Sequence, residues 1–129
     1  MKRMVLRIPP LVLEWVEWTR WTDLQLHTRG EGGVSIPTEP GVYEVCRKGR
    51  TGLLLIGMAS NLRHRLKQAL VKGKAPYGAR KKLMKGERGR FHQVWIRWAI
   101  TDRPAAAEEE LFRRYRRRFG RQPKYSAVG

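Results

Sequence analysis

A carboxylate stands in the apolar stripe of a helix near the C-terminal end of this chain. Between Pro104 and Gly120, Leu111, Phe112, Tyr115 and Phe119 recur at the three- and four-residue steps of one helix face. Glu108 falls in that stripe, whereas Glu109 and Glu110 point elsewhere. A carboxylate aimed at a packed surface is costly unless it is paired with a cation or binds a metal. Glu108 is therefore read as a metal ligand or as an ion-pair partner, and the chain's 28 Lys and Arg leave both open. The run of three glutamates also favours the positive end of the helix dipole.

Cations gather elsewhere. Arg63, His64, Arg65 and Lys67 sit on a second helix, with Arg63 and Arg65 on opposite flanks of a leucine stripe, so either could reach a phosphate. Residues 63–90 hold eleven Lys and Arg against one acid, Glu87, and residues 113–124 hold seven against none. A single basic face is ordinary solvation; two on one small chain point to contact with a phosphate backbone. Arg63, His64, Lys67, Lys72, Lys74, Arg80, Lys81 and Lys82 are the residues expected to make it.

The whole-chain balance agrees. Twenty-eight basic against 11 acidic residues give a formal net charge of +17 on 129 residues, which favours polyanionic partners, DNA ranked ahead of RNA. No apolar run approaches the roughly 20 residues of a spanning helix, so a membrane role is not expected. The N-terminal apolar stretch is broken by Arg7 and the Pro9-Pro10 pair, unlike a signal peptide, and a cytoplasmic protein is expected. The single Cys46 fits a reducing compartment, and His27, His64 and His92 lack zinc-ligand spacing.

The positioning elements are legible in outline. Val42–Arg47 and Leu53–Ile56, joined by Lys48-Gly49-Arg50-Thr51-Gly52, predict an antiparallel pair. Ser60 or Asn61 caps a helix carrying Leu62, Leu66 and Leu70 and ending near Gly73. The basic stretch from 72 to 90 holds a short helix around Leu83 and Met84. Phe91–Ile100 alternates as a third strand, and Asp102 with Pro104 opens a last helix that Gly120 and Pro123 end. Ahead of these, Trp15, Trp18 and Trp21 suit a helix face or an irregular segment wrapping the core, and Thr28–Pro40 reads as a loop. One folded unit is expected, an α/β (α+β) chain with a small three-stranded antiparallel or mixed sheet flanked by helices. A Trp-rich extension over residues 1–38 would pack on a domain over 39–125.

Gly41-Val42-Tyr43, Leu55-Ile56-Gly57, Ala59-Ser60-Asn61-Leu62 leading to Arg65, and Glu108 with Leu111, Phe112 and Tyr115 together resemble the GIY-YIG nucleases, in order and over residues 41 to about 120. The resemblance implies a compact α/β fold and an endonuclease hydrolysing DNA phosphodiesters with Mg²⁺ or Mn²⁺. It implies Glu108 as metal ligand, Arg65 as the group stabilising charge on the phosphate, and Tyr43 as the one orienting or activating water. Leu55 stands where the family has its second tyrosine, and Ala69 where it usually has Tyr or His. The base then falls among Tyr43, Tyr77, His64 and His92. A degenerate member that binds nucleic acid without cutting is the alternative, and a basic assembly protein a third. No dimer signature is visible, and a monomer is the default.

Overall fold

The computed structural model describes residues 11–24, 35–67 and 78–126, and of residues 78–80 the backbone alone. Its frame is a hairpin. β2 (Gly41–Arg47) pairs antiparallel with β3 (Leu55–Ala59), Tyr43 opposite Gly57 and Val45 opposite Leu55. Gly49 and Gly52, at φ of 82° and 86°, supply the left-handed residues the connection needs. β4 (Val94–Ile100) lies on the other side of β2, and a two-residue strand, β1 (Thr19–Arg20), pairs with β4. The sheet order is β1-β4-β2-β3, antiparallel throughout.

Strand alternation sends side chains to two covered faces. On one, Tyr43, Val45, Leu55, Ala59, Val94, Ile96 and Trp98 form the main core. They pack with Leu62 and Leu66 of α1 (Leu62–Leu66), Leu83 of α2 (Gly78–Gly86), and Trp21, Leu24 and Ile36. On the other, Val42 and Ala99 receive Ala107 of α3 (Pro104–Phe119), with Leu111, Leu11, Leu13 and Trp15 around them. Both α1 and α3 spring from the sheet end marked by Gly41, Ala59 and Ile100, which stand in register. They cover opposite faces.

Several expected boundaries move. The sheet has four strands among the described residues rather than three, because burial of Trp21 and Leu24 holds the preceding Thr19 and Arg20 against β4. The Trp segment is not helical beyond a single 3-10 turn at Trp21–Asp23. The second hairpin strand begins at Leu55, not Leu53, and runs on to Ala59. Phe91–Gln93 is a 3-10 turn ahead of β4. Thr101, not Asp102, meets the opening of α3: its Oγ1 accepts from Arg103 N at 3.1 Å, while Pro104 occupies the first turn as expected. Gly120, at φ 69°, ends the helix in the left-handed conformation. Leu70 and the end of the leucine helix near Gly73 lie outside the described residues.

Candidate functional site

The α1 helix separates the two arginines that its periodicity left equivalent. Asn61 Oδ1 accepts from His64 N at 2.9 Å and caps the helix. Arg63 turns back to the preceding loop, where its Nε donates to Ile36 O at 2.7 Å and its Nη2 to Ser35 Oγ at 3.3 Å. It is a strut. Arg65 is exposed and carries no side-chain hydrogen bond or ion pair among the described residues. His64 is exposed and Lys67 is half-buried at the C-cap.

Tyr43 is enclosed. Its side chain is 1% exposed, on the α1 face of the sheet, and its ring lies across Gly57, where an added Cβ would strike both the hydroxyl and the ring. The glycine of the Leu-Ile-Gly sequence is thus needed for the ring to lie down. Leu55, also 1% exposed, is a core residue beside Val45. Glu108 stands half-buried on α3, next to Ala107, which seats the helix on the opposite face. Tyr43 thus faces the α1 side of the sheet, Glu108 is carried by the helix seated on the other face, and Arg65 follows the end of β3.

The described part of the tail pairs with the start of β3, the edge strand. Lys124 N and Tyr125 N donate to Leu53 O and Leu54 O, at 3.2 and 2.9 Å, and Ser126 Oγ accepts from Ile56 N at 3.4 Å. Beyond Ile56, Met58 is exposed.

Among the described residues no group of three or more His, Cys, Asp or Glu is placed to hold a metal ion.

Two buried carboxylates escaped sequence reasoning. Glu44, 6% exposed on the α3 face, takes Arg97 on Oε1 at 2.7 Å from Nε and 2.5 Å from Nη2. The guanidinium lies 4.3 Å from the Trp15 ring centroid and 4.8 Å from that of Trp18, so those tryptophans clamp an arginine. Burial pushes the Glu44 carboxyl up, against the pull of Arg97. Glu87, fully buried, accepts from Tyr125 OH on Oε2 at 2.5 Å and lies 3.1 Å from Arg47 Nη1 through Oε1, an ion pair without a well-directed hydrogen bond on that oxygen. Burial first, then the Glu87 hydrogen bond and charge, push the Tyr125 phenol up to about 12.

Of the remaining expected contacts, Lys81 and Lys82 are exposed on α2. The side chain of Arg80, and Lys72, Lys74, Ala69 and Tyr77, lie outside the described residues. His92 is exposed in the turn before β4. On α3, Glu110 pairs with Arg113 and Arg114 at 2.6 and 3.0 Å, while Arg116, Arg117 and Arg118 are exposed without a carboxylate partner among the described residues. No described helix is long and apolar enough to cross a membrane. Comparison of the chain with protein-family models, curated proteins and solved structures finds no match.

Proposed function

We propose that this chain is a GIY-YIG-type endonuclease that hydrolyses phosphodiesters, in DNA ahead of RNA, with Mg²⁺ or Mn²⁺ bound through Glu108. The observation that supports the reading is that α1, which carries Arg65, and α3, which carries Glu108, both leave the same end of the sheet. In this reading a phosphate bound at that end of the sheet would be met by the guanidinium of Arg65 and, through the metal, by the carboxylate of Glu108. The metal, when bound, neutralises phosphate charge and lowers the pKa of water. Arg65 stabilises charge on the phosphoryl oxygens. Tyr43, held over Gly57, is a positioning residue in this reading, since its phenol is enclosed.

A second reading has its own observation. Leu55 fills the core where the family's second tyrosine would stand, and Tyr43 is buried, so neither offers an exposed base. The chain would then bind nucleic acid through Arg65 and the basic surface without cutting. Nicking of supercoiled plasmid in Mg²⁺ or Mn²⁺, beside Glu108→Ala, Arg65→Ala and a chelator control, separates the two. The endonuclease nicks, and loses nicking in all three controls. Retarded but intact plasmid under every condition supports the binder and ends the nuclease proposal.

A further inference from the structure

On the α3 face, away from Arg65 and α1, the hairpin tip and the second half of α3 enclose a cleft of about 390 Å³, within the roughly 300–1,000 Å³ of small-molecule sites. Its walls are tied. Leu53 N donates to Tyr115 OH at 3.0 Å, and Gly52, at φ 86°, brings the turn so close that an added Cβ would strike that hydroxyl. The apolar lining comes from Leu53, Leu111 and Phe119, and Tyr115 and Phe119 pack ring to ring at 4.5 Å.

The polar lining is asymmetric. At one side lies Glu44, buried and held by Arg97, whose contacts both fall on Oε1. Arg97 thus leaves Oε2 without a contact from its guanidinium. At the other lie Arg114, tied to Glu110, and Arg118, which has no carboxylate partner among the described residues and sits 5.2 Å over the Phe119 ring. An acceptor-only group, a flat apolar wall and an unspent guanidinium together describe a ligand with a donor edge, a planar body and an anion.

We propose that this cleft is a nucleobase subsite: it takes a nucleotide whose base carries an exocyclic amino group, the amino on Glu44, the ring against Leu53, Leu111 and Phe119, and the phosphate on Arg118. The choice of a nucleotide rests on the nucleic-acid reading above; the shape and polarity of the cleft do not. A carboxylate accepts from an amino group and repels a carbonyl in the same place. Cytosine and uracil, nearly equal in size, differ there in that way.

The test is calorimetric titration of the full chain, in chelator, with CMP, UMP, ribose 5-phosphate and inorganic phosphate. CMP is expected to bind roughly tenfold or more tighter than UMP, and both phosphate controls more weakly than either. Arg118→Ala should weaken CMP by about tenfold, the loss expected of a charge-assisted contact. Glu44→Gln, which can turn an amide N–H toward a carbonyl, should raise UMP relative to CMP. If Glu44→Gln fails to fold, Arg118→Ala and the CMP/UMP ratio on wild type still decide. Equal affinity for CMP and UMP, full competition by inorganic phosphate, or no nucleotide binding overturns the subsite. Glu108→Ala should bind CMP as wild type does. A protein that holds CMP selectively but never nicks plasmid keeps the subsite and loses the nuclease, and the reverse result does the opposite.

Discussion

Single residues in this chain are constrained by close approaches that their types alone make possible. Gly57 lies beneath the Tyr43 ring, and a methyl group there would collide with it. Gly57→Ala is therefore expected to destabilise the fold by about 1–3 kcal/mol, read as a lowered urea midpoint; an unchanged midpoint would mean the ring does not lie across β3. Tyr125 is constrained by charge. Its phenol donates to the buried Glu87, and its raised pKa means that the folded chain prefers the neutral form. The stability linked to it is fully present below the ordinary value of 10.0 and is lost as pH rises through about 12. Removing the hydroxyl in Tyr125→Phe should cost about 1–3 kcal/mol near neutrality by leaving Glu87 short of a donor. In denaturation curves measured from pH 8 upward, that advantage of wild type should narrow across the same window. A constant gap through the phenol titration would show that the Tyr125–Glu87 bond is not what the variant removes.

Elements place these residues, and they were legible to different degrees. The last helix could be read because Pro104, the Leu111–Phe119 stripe and Gly120 all agree, and α1 because Asn61 precedes Leu62 and Leu66. The leucine stripe could not choose between Arg63 and Arg65, since the deciding bonds reach Ser35 and Ile36, 28 and 27 residues away. Glu44 and Arg97 could not be paired from strand alternation, which assigns a face but not the register that sets β2 against β4. Glu87 looked like a lone acid in a basic stretch, whereas its partners Arg47 and Tyr125 lie 40 and 38 residues off. The cap that is legible is also testable. Asn61→Ala should cost about 0.5–2 kcal/mol and, by fraying the short helix that holds Arg65, weaken nucleic-acid binding. Equal affinity in gel shift, with the stability loss present, would show that Arg65 does not need α1 to be ordered.

At the scale of the whole molecule, cations far outnumber the acids that could pair with them. The +17 formal charge is unevenly spent: Glu44 goes to Arg97, Glu87 to Arg47, Asp23 to Arg20, and Glu109 and Glu110 to Arg113. Of these acids only Glu44 and Glu87 are buried, and Arg116, Arg117 and Arg121 remain exposed without carboxylate partners among the described residues, in and just after the last turn of α3. If that end of α3 lies along a phosphate backbone, each contact releases a condensed counterion, and affinity for duplex DNA should fall linearly in log–log with salt at a slope of about −0.9 per phosphate. Neutralising Arg116, Arg117 and Arg121 together should then flatten the slope by up to about 2.7, three such contacts. The same variant should leave the CMP preference of the cleft intact, since none of the three lines it. Fluorescence anisotropy on one duplex across a salt series measures the slope. A slope unchanged in the triple variant would take α3 off the backbone and leave the basic stretch around α2, with exposed Lys81 and Lys82, as the surface that the polyanion meets.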